Sequence, residues 1–343
     1  MTQNLSSAMK VYQDLLATKF DKKNTQPMEP YDLRNPRVHL EGEVRFGKMD
    51  KSIFERVYSR LLSYGFVKTS ESYQLKIICY TNDRIRCELK DIGVIRDFCT
   101  SNALPDQAEF ILKDRPKDYK PYDNKDYGFR FSIAKECVLQ AEDPKVLQLL
   151  QNWNQMDKSF RYMNRLTLTH PDMKGLVVDL SIVKSAMFKD QLVREKKFSS
   201  SQLFQQAETY EIEVELTDLP YVYKNSQPVF DQLQKVIRYI TNGIQNTNYP
   251  IPFKEQQDLL REYLLYVNPT ERPPTVITNR MFIGPSSYTL QNIHLIQEDN
   301  KAPCIFDDFC VTEKADGERK LLCVNKNGRI YMIDTNMKVQ YTG

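Results

Sequence analysis

Residues 210–216 read YEIEVEL, glutamates alternating without a break with apolar or aromatic residues. Successive side chains of a strand point to opposite faces. Such a segment therefore carries Glu211, Glu213 and Glu215 on one face and Ile212, Val214 and Leu216 on the other. The same period recurs around residues 39–46, 73–80, 83–90, 108–114, 127–136, 159–169, 174–184 and 208–216, which predicts eight strands. A chain that repeats this pattern so often must find one place for many apolar faces and another for many charged ones.

The charged faces are unusual. LEGEVRFG sets Glu41, Glu43 and Arg45 on one side, against Val44 and Phe46. RIRCELK sets Arg84, Arg86, Glu88 and Lys90 against Ile85, Cys87 and Leu89. In FRFSIAKE, Arg130, Ser132 and Glu136 share a face; in RYMNRLTL, Arg161 and Arg165 share one with Met163; in LVVDLSI, Asp179 and Ser181 do. Any one of these strands fits an antiparallel sheet with one wet side. Solvent faces, however, usually mix in Thr, Gln and Asn. Here Arg and Lys repeat across the middle strands, and the acids sit on the first and last.

If the sheet closes, those two strands meet. Like charges directly opposite destabilise a strand pair, so Glu41, Glu43, Glu213 and Glu215 would be costly neighbours without a cation among them. An all-oxygen carboxylate cluster suits a hard divalent ion, Mg²⁺ or Mn²⁺. Guanidinium forks match phosphate oxygens in a bidentate way. Metal beside a cationic wall is the equipment of phosphoryl chemistry, in which catalysis is mostly positioning and charge stabilisation.

Helical periodicity marks residues 1–20, 51–65, 144–153, 228–245 and 254–267, and the segment SSSQLFQQAE around 199–208. The breaks NTNYPIP and NPTERPP bracket the expected boundary between two domains, 1–247 and 248–343. Seven cysteines, an odd number without a CxxC pair, argue against a zinc site or a disulfide framework and for a reducing compartment. A net charge of +3 decides nothing about a nucleic-acid partner unless the charges cluster. No apolar run approaches the roughly 18 residues of a membrane span, and the N-terminus has no signal-peptide core.

The ExE strand near the start and the ExExE strand near the end resemble the tunnel-type, metal-dependent triphosphatases. The strands between look like those of the fungal, protozoan and viral RNA 5′-triphosphatases. The resemblance implies an α+β fold: an eight-stranded antiparallel β-tunnel with flanking helices and its active site inside. It implies that Glu41, Glu43, Glu211, Glu213 and Glu215 form the metal site, with Glu213 and Glu215 nearest the ion, and that a glutamate of the last strand, taken as Glu213, orients the attacking water. It implies a phosphate-binding set of Arg84, Arg86, Lys113, Arg130, Arg161, Arg165, Asp179 and Ser181. The family's basic strand often reads Arg-x-Lys-x-Arg; here its centre is Met163, and one phosphate contact is missing or supplied elsewhere.

Lys314-Ala-Asp316-Gly317-Glu-Arg319 matches KxDGxR. Asp-Gly is also a common turn dipeptide. The flanks DDFCVT and KLLCVN look like strands, and IGPSSYTLQNIHLI, 283–296, reads as a loop and helix upstream. This arrangement resembles the start of the covalent nucleotidyltransferases, the capping guanylyltransferases and polynucleotide ligases. The resemblance implies Lys314 as a nucleophile that takes GMP from GTP once deprotonated, with Asp316, Gly317 and Arg319 at the nucleotide.

Triphosphatase followed by lysyl transferase is the order of the first two steps of mRNA capping. Over nearly the whole chain the sequence resembles the mRNA-capping enzymes of large cytoplasmic DNA viruses, mimivirus-like ones most of all. That resemblance implies several partners: 5′-triphosphate RNA, the rest of the guanylyltransferase with its OB-type domain, a methyltransferase, and viral RNA polymerase. No membrane is among them. The implied location is the host cytoplasm, in the viral factory, and the virion. With 24 residues after Arg319, the second domain is expected to be incomplete and unable to transfer GMP by itself. Two other readings remain at this point. One is a tunnel phosphohydrolase for free nucleoside triphosphates or polyphosphate. The other, which Met163 favours, is a non-catalytic RNA- or polymerase-binding module.

Overall fold

The computed structural model describes residues 2–21, 31–47, 49–81, 85–116, 119–189, 191–269, 276–284, 289–296, 304–306, 308–313 and 316–343. The chain divides into two compact units, Met1–Asn246 and Thr247–Gly343.

In chain order the first unit comprises α1 (Thr2–Phe20), β1 (Val38–Phe46), α2 (Lys51–Ser63), β2 (Val67–Cys79), β3 (Arg86–Lys90), α3 (Ile92–Ser101), β4 (Glu109–Asp114) and β5 (Tyr122–Asn124). It continues with β6 (Phe129–Leu139), α4 (Pro144–Gln151), β7 (Lys158–Thr169), β8 (Leu176–Ser185), the short β9 (Met187–Phe188) and β10 (Gln191–Leu192), β11 (Thr209–Leu216), α5 (Leu219–Lys224) and α6 (Ser226–Gln245). The hydrogen-bonded order is β1–β11–β8–β7–β2–β3–β4–β6, every pairing antiparallel. The free edge of β6 pairs in turn with β1 over nine residues, Val38 to Phe46, so the ladder returns to its start.

That closure turns the sheet inside out. The apolar faces point outwards: Leu40, Val44, Val178, Ile212 and Val214 are fully buried under helices. Helix α1 supplies Leu5, Met9, Tyr12 and Leu16, spaced four, three and four apart so that all fall on one face. Helix α2 starts at Asp50, whose carboxylate accepts from the Ile53 amide at 2.8 Å, the usual capping bond, and packs on α6. The charged faces are left pointing inwards.

Gly42 shows how tightly α1 rests on β1. A Cβ there would lie 2.6 Å from the Tyr12 ring and 2.9 Å from Leu216, closer than carbon atoms pack. The absence of a side chain lets the ring sit against the backbone, and the Tyr12 hydroxyl donates to the Leu40 carbonyl at 3.3 Å. Glu41 and Glu43 flank this glycine and face the other way.

Several expectations need correcting. SSSQLFQQAE forms two 3-10 turns, Phe198–Ser201 and Leu203–Gln205, because Gln202 between them has a left-handed backbone (φ 49°) that no helix accommodates. The sequence reading gave neither α3, whose Gly93 and β-branched residues are poor helix formers, nor α5, whose six residues are too few for a periodic signal.

The second unit has α7 (Phe253–Val267) and an antiparallel sheet of β12 (Lys320–Val324), β13 (Ile330–Asp334) and β14 (Val339–Tyr341). Leu259, Leu260, Tyr263, Tyr331, Ile333 and Val339 form its core. KLLCV is a strand as expected, but the described part of DDFCVT is not. Of the described part of 283–296, only Asn292–Leu295 makes a 3-10 turn. No helix among the described residues is long and apolar enough to cross a membrane.

Candidate active site

The inward faces line a cavity of about 560 Å³. Its walls carry Glu41, Glu43, Arg86, Lys113, Arg161, Met163, Arg165, Glu213 and Glu215 from the sequence reading, together with Arg45, Lys76, Glu88 and Glu136. Alternation alone selects which residues enter. Register then decides which of them meet.

The first and last strands do pair, and Glu43 stands directly opposite Glu215. Carboxylate oxygens of Glu41, Glu43 and Glu215 lie within 4.8 Å of one another. Cations near them are few. Lys113 donates to Glu41, Arg45 reaches Glu43 at 3.2 Å, and Arg165 is 3.5 Å from Glu215. Burial, with Glu43 and Glu136 nearby, pushes the Glu41 carboxyl up to about 7. Burial, with Asp179, Glu213 and Glu41 nearby, pushes Glu215 up to about 8. Burial is the first cause of both shifts, and the neighbouring carboxylates add to it. Three carboxylates brought this close fit a hard divalent cation.

One residue along the same face, the situation reverses. Glu213 receives Arg45 Nε at 2.6 Å and Arg165 Nη2 at 3.0 Å. Burial favours its neutral form, but Arg45, Arg165 and Lys76 outweigh it and hold the carboxyl below its usual value. Arg165 also binds Asp179 at 2.9 Å, and Thr167 donates to the other Asp179 oxygen at 2.6 Å. Glu211 is bonded to Arg161. Of the five glutamates expected at a metal, three therefore cluster, and Glu211 and Glu213 are taken up by arginines. With both its oxygens held, Glu213 is placed to orient guanidiniums, not to take a proton from water.

The opposite wall forms a chain of alternating charge. Arg86 sits between Glu88 at 2.6 Å and Glu136 at 3.1 Å; Lys113 also reaches Glu136 at 3.1 Å, and Lys76 reaches Glu88 at 3.6 Å. Burial lowers the pKa of Lys76. Ser181 is buried, and among the described residues its hydroxyl has no hydrogen-bond partner.

Arg130 does not join the cavity wall. It stands opposite Arg45 in the β1–β6 ladder. Like charges in direct register repel, and Arg130 turns instead to Asp123 of β5, at 2.6 and 3.0 Å. Arg84 and Lys314 lie outside the described residues. Asp316, Gly317 and Arg319 are exposed in the second unit, and the Arg319 guanidinium lies 5.1 Å from the centre of the Phe282 ring. Arg45, Glu88 and Glu136 stand on charged faces visible in the sequence, but their pairings follow only from register. Lys76 gave less signal, since its neighbours on that face are Gln74 and Ile78.

No family model matches the sequence, and no curated relative does either. Among solved structures, the chain is similar to the RNA triphosphatase domain of a trifunctional mimivirus mRNA capping enzyme. The two are 18% identical over 67% of this chain and 96% of that one, with a TM-score of 0.43. It is similar to an S. pombe RNA triphosphatase at 13% identity, over 70% of this chain and 90% of that one, with a TM-score of 0.39. A Pyrococcus horikoshii protein gives 16%, 58%, 89% and 0.30 in the same order. At these values the site rests on its own geometry.

Proposed function

We propose that this chain is a tunnel-type RNA triphosphatase that removes the γ-phosphate from the 5′-triphosphate end of RNA, the first step of cap formation. The observation that carries the reading is the juxtaposition, within one cavity, of a cluster of three carboxylates and a set of arginines and lysines. Glu41, Glu43 and Glu215 would hold Mg²⁺ or Mn²⁺. Such an ion supplies charge stabilisation at the phosphoryl oxygens and the entering oxygen.

The chain's own groups do the remaining work. Arg165 and Arg161 present guanidiniums whose orientation is fixed by Glu213, Asp179 and Glu211. Their remaining N–H groups are available to phosphate oxygens, which accept such forks in a bidentate way. On the facing wall, Arg86, Lys113 and Lys76 share the carboxylates of Glu88, Glu136 and Glu41. A triphosphate entering there exchanges one set of anionic partners for another, so these cations keep compensation in both states. Met163 contributes no charge to β7, and its direct partner on β2 is Gln74; Lys76 stands one step along that face, opposite Arg161, and adds a cation to the same cavity.

The test is release of labelled γ-phosphate from triphosphate-ended RNA with and without Mg²⁺ or Mn²⁺. Metal-dependent release is expected; its absence with both ions overturns the reading. The cavity walls recognise phosphate rather than base, which favours a second reading, hydrolysis of free nucleoside triphosphates or polyphosphate. ATP offered in competition with RNA separates the two, and RNA is expected to be preferred.

The second unit is read as the start of a lysyl guanylyltransferase on its KxDGxR motif alone. Polymerase, the later capping domains and a cytoplasmic site of action are expectations of the same reading. Asp316 and Gly317 lie in the open, so no GMP adduct is expected after incubation with labelled GTP and a divalent cation. A labelled band that disappears in Lys314→Ala would show the opposite.

A further inference from the structure

The two ends of the ladder differ in how their exposed cations are used. At the end where β2 and β8 begin and β3 stops, Lys68 pairs with Glu71 at 2.6 Å, Lys90 with Glu109 at 2.7 Å and Lys174 with Asp218 at 3.6 Å. At the opposite end, the segment Arg194-Glu195-Lys196-Lys197 lies against the first residue of β7. The Lys158 amide donates to the Glu195 carbonyl at 2.9 Å, and the Glu195 amide donates back at 2.8 Å. Three cations and one anion leave this segment at +2. Among the described residues, Arg194, Lys196 and Lys197 form no ion pair, and all three are exposed.

Arg194 has a further feature. Its guanidinium lies 4.1 Å from the centre of the Tyr80 ring. Tyr80 continues, two residues on, the side of β2 that carries Lys76 and Ile78 into the cavity. Its hydroxyl is 3.1 Å from Ser159 Oγ, which donates to the Val193 carbonyl at 2.6 Å. Ser159 in turn precedes Arg161 by two on the cavity side of β7. Lys76 is the strand partner of Arg161, so the Tyr80 backbone stands four residues, about 13 Å, further along the strand; its hydroxyl reaches back to Ser159, and the Arg194 guanidinium lies over its ring. Lys196 and Lys197 follow next in the chain.

We propose that this rim is where the RNA chain itself is held: the first base stacks on the Arg194–Tyr80 pair, and the following phosphates run along Lys196 and Lys197. Single-stranded RNA is gripped by aromatic and guanidinium planes together with backbone cations. The cavity itself offers phosphate contacts only, so this rim gives the protein a way to prefer an RNA end over a bare polyphosphate. The inference deepens the triphosphatase reading and rests on it for the direction of entry, but RNA binding can be measured without turnover.

The experiment uses the full chain and a short fluorescent RNA carrying a 5′-triphosphate, with anisotropy read across a salt series and without metal. Losing one stacked base is expected to weaken binding about tenfold in Arg194→Ala. Arg194→Lys keeps the charge but not the plane, so it should weaken binding comparably while retaining the wild-type salt dependence. The double variant Lys196→Ala/Lys197→Ala should reduce the slope of log affinity against log salt by about 1.4. In turnover, the ratio of RNA to inorganic tripolyphosphate hydrolysis should fall about tenfold in Arg194→Ala.

Wild-type affinity and slope in these variants would overturn the proposal. So would a parallel fall for RNA and tripolyphosphate, or failure of the wild type to bind RNA. Intact RNA binding at the rim with no hydrolysis of any triphosphate would instead overturn the catalytic reading and leave this one standing.

Discussion

Glu213 and Glu215 are two residues apart on β11, point into the same cavity and are equally glutamate, yet their protons behave oppositely. Glu213 lies between Arg45 and Arg165 and is held below its ordinary pKa; Glu215 faces Glu43 and is pushed up to about 8. Both are buried, but Arg45, Arg165 and Lys76 outweigh burial at Glu213, whereas at Glu215 burial and the charges of Asp179, Glu213 and Glu41 outweigh Arg165. One side of the cavity is therefore charge-compensated by the protein and serves as scaffold. On the other, Glu41 and Glu215 are left short of positive charge.

The sharpest way to break this contrast is substitution. Glu215→Gln should lower metal-dependent phosphate release by at least about 100-fold, the scale of losing one preorganised charge-stabilising group. The metal-free protein should not become less stable, and at pH 8–9 its melting temperature should rise. Equal activity in the variant would remove Glu215 from the metal site.

Glu213→Gln should do something different. Removing one partner from a buried charge network leaves the others uncompensated, at a cost of about 3 kcal/mol. Chemical denaturation should report that loss, and an unaltered midpoint would show that Arg45 and Arg165 do not depend on it.

A third test uses pH. A carboxyl whose folded pKa is raised binds more protons in the folded than in the unfolded state, so stability falls as pH rises across the gap. For Glu41 and Glu215 the window runs from the ordinary value near 4.5 to about 7 and about 8. Without metal, the melting temperature should decline over that range; Mg²⁺ or Mn²⁺ should restore it, and Glu215→Gln should flatten the decline. A rise with pH across that window in the metal-free protein would contradict the charge shortage.

The smallest effect belongs to the outside of β1, the strand that pairs with β11. Gly42→Ala forces the Tyr12 ring away from β1, an overpacking cost of about 1–3 kcal/mol. An unchanged melting temperature would show that α1 yields readily there.

Much of this was legible in the sequence because period-two alternation survives closure: the residues on the charged faces of YEIEVEL and LEGEVRFG are those that enter the cavity. What the alternation cannot supply is register. Arg45 shares a face with Glu41 and Glu43, but only its level opposite Glu213 makes it a counter-ion, and only its level opposite Arg130 turns that residue away. Lys76 went unassigned because Gln74 and Ile78 make its face look ordinary. Helix α3 did not show because Gly93 and the β-branched Ile92, Val94, Ile95 and Thr100 are poor helix formers, and α5 because six residues give too few turns for a period to declare itself.

The pairing of Glu43 with Glu215 also bears on how the first unit is assembled. These residues come from nearly opposite ends of its sequence, so their contact is among the longest-range in the unit, and it brings like charge against like charge. Closing a long loop to make a repulsive contact is slow work for a chain. A divalent ion that binds only the closed ring would act by mass action on that step. The ion that serves the chemistry would then also be a folding ligand, and the protein should unfold more slowly when it is bound.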